Sequence, residues 1–272
     1  MAPRSLKLIA FDGDDTLWHN ERSFLAGRVR FRRLLDAAGV VLSEEEIEEA
    51  VNRVEIANIE YYGYGVSSFI LSLIETAIDL TGGRVTGAQL HGLIELSKHM
   101  LTEEIELFPA VRETVAALAK AYPLMLVTKG DLMHQTSKLE RSGLRERFRF
   151  VEVVSHKTVD VYSAILARHD VAADRFVMIG NSLKSDVIPV AEAGGWAVHV
   201  PAALTWSHEH ADLPAHIQHR TFELKTLDRL PQVIETIERG QRSVRSAPRT
   251  SASRRAEAAS GRRRPGGGSR RS

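Results

Sequence analysis

Residues Ile9–Trp18 read IAFDGDDTLW: an apolar run closes at Phe11, and three carboxylates, Asp12, Asp14 and Asp15, follow within four positions. Like charges crowded at a strand end repel one another unless a cation or a proton takes up the repulsion. The stretch therefore asks for a positive partner, and asks for it at the end of a buried strand.

Beyond this stretch, the run LKLIAF (6–11) has four counterparts rich in β-branched or aromatic residues: LMLV (124–127), FRFVEVV (148–154), FVMIG (176–180) and WAVHV (196–200). Helical patterns over 132–142, 159–168 and 184–193 alternate with the later runs. Strand and helix in alternation predict an α/β fold with a parallel sheet. More than 110 residues separate the first run from the second, far more than a crossover helix requires, so something is inserted there. The inserted segment shows helical periodicity over 23–38, 43–61, 67–81 and 86–104, with little strand character. Its SEEE at Ser43 has the form of a capping box, and AAGV and LTGG read as helix stops. A small helical domain is expected. Between its second and third helices, EYYGYGVSS places Tyr64 between Gly63 and Gly65, an aromatic ring on a turn that can reach a ligand.

In an open parallel sheet, ligands bind beyond the carboxyl ends of the strands. Here the runs end in Asp12, in Thr128, in Ser155-His156-Lys157 and, through Gly180, in Asn181 and Asp186. These residues are expected to meet in one crevice. The oxygens of Asp12, Asp14, Asn181 and Asp186 suit a hard divalent cation such as Mg²⁺, which would relieve the repulsion between the carboxylates. Asp12 is placed to attack a phosphoryl group, splitting one hard displacement into two easier ones. Asp14 would protonate the leaving oxygen and later deprotonate water, provided its pKa is raised. Thr128 offers a hydroxyl, Lys129 and the backbone N–H groups beside it offer donors to phosphate, and Lys157 offers a compact positive charge.

Composition narrows the field. The chain has 272 residues, 43% hydrophobic and 26% charged, no cysteine, and no apolar run near the roughly 20 residues that span a bilayer. Any metal must therefore sit on oxygen or imidazole, and a cytoplasmic location is expected without membrane contact. The net charge of +1 hides an uneven distribution, because residues 240–272 hold ten Arg and one acid, leaving about −8 on the rest. That segment is nearly all Arg, Ser, Ala, Gly and Pro and is expected to be disordered, with weak nonspecific nucleic-acid contact as one use. It also motivates a competing reading, a non-enzymatic α/β binding protein whose basic tail holds nucleic acid or acidic partners.

With these residues quoted, the sequence resembles the haloacid dehalogenase-like hydrolase superfamily, whose four motifs it follows in order. Asp12, Asp14 and Thr16 in FDGDDTL match the first, Thr128 in LMLVTKGD the second, Lys157 in SHKTVDVYSAIL the third, and Asn181 to Asp186 in GNSLKSDV the fourth. The resemblance implies a Rossmann-like core over 1–18 and 108–235 and an inserted helical cap over 19–107. It also implies Asp12 as nucleophile, Asp14 as acid/base, and a phosphatase of a small phosphorylated metabolite. A dehalogenase needs no metal, so Asp14 and the acid of the fourth motif argue against that branch. A phosphonate hydrolase would need a cap lysine, and the insert offers only Lys98. Two positions depart from the family pattern: Asn181 stands where an Asp is usual, and Asp15 where Gly is common.

Overall fold

The computed structural model describes residues 4–204, 206 and 209–246, the last six as backbone only. Residues 247–272 of the Arg-rich segment, and with them its expected nucleic-acid contact, lie outside the described residues.

The sheet has six parallel strands in the order β3-β2-β1-β4-β5-β6. These are β1 (Leu8–Phe11), β2 (Leu124–Lys129), β3 (Phe150–Val154), β4 (Phe176–Gly180), β5 (Trp196–His199) and β6 (Thr221–Glu223). All four residues of β1 are buried, as expected of a central strand covered on both faces. Its side chains alternate: Ile9 and Phe11 join one apolar cluster with Val115, Leu126, Ile179 and Ile234. Leu8 and Ala10 join another with Val127, Ile165, Met178 and Val190. The first cluster is closed by α5 (Val111–Ala119), α6 (Leu132–Arg141) and α9 (Leu230–Ser246), the second by α7 (Val159–Arg168) and α8 (Ile188–Glu192). Helices on both faces of a parallel sheet make the fold Rossmann-like.

Between β1 and β2 lie α1 (Glu21–Ala37), α2 (Glu44–Tyr62), α3 (Val66–Thr81) and α4 (Gly87–Thr102). They bury a cluster of their own, with Phe31, Val51, Phe69, Leu73, Leu96 and Met100. Ser43 caps α2 by the reciprocal bonds its sequence predicts: its hydroxyl accepts from Glu46 N–H at 3.2 Å, and its own N–H donates to Glu46 at 2.8 Å.

Three differences from the sequence expectation have physical causes. β6 is only three residues long and has no apolar run to announce it. β2 extends through Thr128 and Lys129, which pair with Val153 and Val154 of β3, so both polar residues stand on the strand rather than after it. Finally, α9 continues past residue 235 and through the first seven residues of the segment expected to be disordered, carried by Leu230, Ile234 and Ile237 at helical spacing against the sheet. Among the described residues no helix is long and apolar enough to cross a membrane.

Candidate active site

β1, one of the two central strands, delivers Asp12 to the carboxyl edge, and the Asp12 N–H donates to Ile179 O at 2.8 Å. The chain then turns sharply. Gly13 O accepts from Leu17 N–H at 2.8 Å, and a Cβ on Gly13 would stand 2.6 Å from the Trp18 ring, so only glycine fits beneath the indole. Asp15 takes a left-handed φ of 56°, which explains why glycine suits this position. Its carboxylate has a use, accepting from the N–H groups of Asn20 at 3.0 Å and Glu21 at 3.0 Å and so starting α1, where Asn20 makes no side-chain cap.

The Lys157 ammonium lies between two carboxylates, 2.5 Å from Asp12 Oδ1 and 2.6 Å from Asp186 Oδ1. All three side chains are buried, Lys157 and Asp186 to 1% exposure. The close fit begins with Gly180 at the end of β4, where a Cβ would lie 2.2 Å from the Asp186 carboxylate. Asp186 is fixed by Ser182 N–H, which donates to Oδ2 at 3.1 Å. The Thr16 hydroxyl is 3.3 Å from both Asp12 Oδ2 and Asn181 Oδ1, so these two oxygens converge.

Burial pushes the Asp12 carboxyl up to about 7, with Lys157 pulling it down and Asp186 pushing it further up. Burial would lower the Lys157 ammonium, but Asp12 and Asp186 hold it above its ordinary range and charged. Asp14 differs from its expected state. Burial would raise it, but the Lys138 ammonium at 2.8 Å, Gln135 at 2.9 Å and the Trp18 indole N–H at 2.6 Å more than offset this, and the carboxyl lies below its usual range. The raised pKa that an acid at Asp14 requires is therefore not met in this arrangement, because Lys138 on α6 reaches its carboxylate.

A cavity of about 150 Å³ opens over these groups. Its lining includes Asp12, Asp14, Thr128, Lys129, Lys157, Asn181, Asp186 and, from the turn between α2 and α3, Tyr64, but not Thr16, Ser155 or His156. They do not all face one point. Lys129 is turned to Glu209 at 2.5 Å and Ser185 at 3.1 Å, with its ammonium 4.1 Å from the Tyr64 ring centroid, while Thr128 reaches only its neighbour's carbonyl at 3.4 Å. Lys98, on the outer face of α4, pairs with Glu95 away from the cavity.

Sequence reading missed Gln135 and Lys138, one helical turn apart on the inward face of α6, where a lysine on an otherwise buried face was the available signal. It also missed Glu209 and the helical lining Glu21, Arg28 and Glu55, for which no motif exists. Among the described residues no three His, Cys, Asp or Glu side chains gather as a metal cluster. The donors present, two carboxylates and an amide oxygen, still suit a small hard cation that keeps several waters and takes its remaining ligands from a phosphate.

The comparisons with known proteins agree with this geometry. The family model described as haloacid dehalogenase-like hydrolase matches residues 6–194. A haloacid dehalogenase-like family hydrolase from Xanthomonas campestris, of known structure, is 36% identical, with a TM-score of 0.78 over 88% of this chain and 95% of that one. The glyceraldehyde 3-phosphate phosphatase of Methanothermobacter thermautotrophicus is 25% identical over 244 residues, 85% of this chain and all of that protein. The 2-haloacid dehalogenase of Pseudomonas syringae pv. tomato shares the fold at 21% identity and a TM-score of 0.58, over 85% of this chain and 99% of that one. With the motif residues gathered at the carboxyl edge of a Rossmann-like sheet and the family model spanning most of the chain, this protein belongs to the haloacid dehalogenase-like hydrolase family.

Proposed function

We propose that the protein is a Mg²⁺-dependent phosphatase that hydrolyses a small phosphorylated metabolite through an aspartyl-phosphate intermediate. The observation that carries this reading is the buried Lys157 ammonium held between Asp12 and Asp186 at the cavity floor. It keeps one carboxylate oriented for attack and supplies positive charge where a phosphoryl group would sit. The whole-length likeness to a phosphatase of glyceraldehyde 3-phosphate favours this branch over a dehalogenase.

In the proposed sequence Asp12 attacks phosphorus, the bond from phosphorus to the substrate oxygen breaks, and the departing oxygen takes a proton from Asp14. Asp14 is ionised before substrate arrives; a phosphoryl dianion beside it pushes its carboxyl back up and lets it carry that proton. Water then attacks the aspartyl phosphate with Asp14 accepting a proton, which returns Asp12 and releases phosphate. The Thr128 hydroxyl and the backbone N–H groups after it, that of Lys129 included, would bind the phosphoryl oxygens, the Lys129 ammonium being held by Glu209, and Tyr64 would meet the remainder of the substrate. Mg²⁺, when bound, would neutralise phosphate charge in the transition state. Asp12, Asp186 and Asn181 would hold it with their side chains, and Asp14 with its backbone carbonyl, because its carboxylate is committed to Trp18, Gln135 and Lys138.

The purified protein should release phosphate from an aryl phosphate with Mg²⁺ and cease to do so with EDTA. Asp12→Asn should lower kcat by at least about a thousandfold while circular dichroism and Tm show a folded protein. Wild-type turnover by that variant would overturn the reading.

A further inference from the structure

The charge of the cavity lining is lopsided. Seven acidic and three basic residues line it, and each of the three cations is already matched. Lys157 serves Asp12 and Asp186, Lys129 serves Glu209, and Arg28 on α1 pairs with Glu55 at 2.6 Å and Glu48 at 2.9 Å. Glu21, about two turns before Arg28 on α1, is the exception among the acids. Among the described residues its carboxylate accepts no hydrogen bond and makes no ion pair, although it lines the cavity. Its neighbours are acidic as well: Asp15, Glu55 and Glu48 all act on it, with Arg28 the opposing charge.

Two further polar atoms lack a partner at this cavity. The Ser68 hydroxyl, in the first turn of α3 and only 3% exposed, has none. Gln135 donates its amide N–H to Asp14, but its Oε1 is buried and accepts nothing. Buried polar atoms without partners are costly, and when they line a cavity a ligand is the natural source of the missing bonds. All the unmet acceptor capacity, at Glu21 and Gln135, calls for hydrogen-bond donors. The one hydroxyl, Ser68, can serve either role.

With a phosphoryl group at the floor, the rest of the substrate extends toward this helical end. A second anion there meets Glu21 with no spare cation to balance it, whereas a hydroxyl or ammonium meets an acceptor. We propose that Glu21 selects the substrate by its leaving group, accepting a hydrogen bond from a hydroxyl or ammonium on the alcohol half and rejecting alcohols that carry a second anionic group. The inference rests on the phosphatase reading and deepens it.

Three esters of similar size separate the cases: 2-hydroxyethyl phosphate, 2-aminoethyl phosphate and phosphoglycolate. Wild type should show kcat/KM at least about tenfold higher for the first two than for the third, and Glu21→Gln should shrink that gap about tenfold. A loss confined to the aminoethyl ester assigns the donor as an ammonium; a loss on both donor-bearing esters extends it to a hydroxyl. Because the readout is a ratio within each variant, a change in the folded fraction cancels. A ratio that Glu21→Gln leaves unchanged overturns the assignment, as does a uniform fall on all three esters. If wild type hydrolyses none of them, the aryl phosphate assay decides the phosphatase reading separately. Titration calorimetry of the same three esters against both proteins then decides on Glu21 by the same ratio, with equal affinities overturning it.

Discussion

The two ends of the cavity handle buried charge in opposite ways. At the floor, Asp12 and Asp186 share the Lys157 ammonium and Asp14 holds that of Lys138, so each of these carboxylates has a cation beside it before any substrate arrives. At the helical end Glu21 has no such partner, and burial together with Asp15 pushes its carboxyl up to about 7. A buried ion pair is weak evidence for stability, because the cost of taking both charges out of water consumes most of the attraction between them. The floor is arranged for the reaction, then, and its groups are oriented in advance. The helical end is left incomplete and takes its last bonds from whatever binds.

The severest break in this contrast is Lys157→Met, which gives the floor an unpaired carboxylate pair of its own. Asp12 and Asp186 would face each other, buried, with no cation between them, and stability at neutral pH should fall by about 3–5 kcal/mol. Urea unfolding in EDTA measures it. The loss should shrink toward pH 4, because a carboxyl raised in the folded state binds its proton there and gives back stability that is lost again as pH climbs. Mg²⁺ should restore part of the loss at neutral pH. A variant as stable as wild type at pH 7 would mean that the triad carries no strained charge.

Much of the floor was legible in the sequence because its residues end strands. Once the apolar runs 6–11, 124–127 and 176–180 are read as neighbours in a parallel sheet, Asp12, Thr128 and Asp186 must approach one another, whatever the intervening chain does. Asp15 is an intermediate case: the residue was visible, but its left-handed φ and its role in starting α1 emerge only from the fold. Lys138 was less accessible still. A lysine in the middle of a helix reads as solvated surface until the helix is placed with that side chain 2.8 Å from Asp14. The helical lining carried no signal at all, since Glu21 and Arg28 look like ordinary residues of an amphipathic helix, and only packing decides which of them faces inward.

Glu209 and Glu21 sharpen the comparison at smaller amplitude. Burial would raise Glu209, but Lys129, Ser182 and Ser185 bring its carboxyl down to about 2. Its contribution is therefore present above about pH 4.5 and is lost as pH falls toward 2. Glu21 behaves conversely: its contribution is complete below about pH 4.5 and is lost as pH rises through 7. Glu209→Gln should cost on the order of 2 kcal/mol at pH 7 and almost nothing near pH 2. Glu21→Gln should instead flatten the decline between pH 5 and pH 8. Denaturant titrations from pH 2 to pH 8 test both, and parallel curves for the two variants would erase the distinction between the ends of the cavity.

The smallest expected effect asks whether the helices that supply Glu21 behave as a unit of their own. Ser43 caps α2 on an exposed surface, at the opposite end of that helix from the turn carrying Tyr64, roughly 28 Å away by the helical rise. The α1–α4 cluster shares no buried member with the two clusters that flank the sheet. Ser43→Ala leaves the Glu46 N–H without its side-chain acceptor and should cost about 1 kcal/mol. If the helical segment folds on its own cluster, that loss belongs to it alone: calorimetry should show one transition moving down by a few degrees while the sheet's transition stays in place. The kcat on an aryl phosphate should not change, because the floor residues are held by β1, β4 and the chain beyond β3. A single transition that shifts as a whole would show instead that the two ends of the cavity melt as one body, and the selectivity assigned to Glu21 would then be coupled to the stability of the sheet.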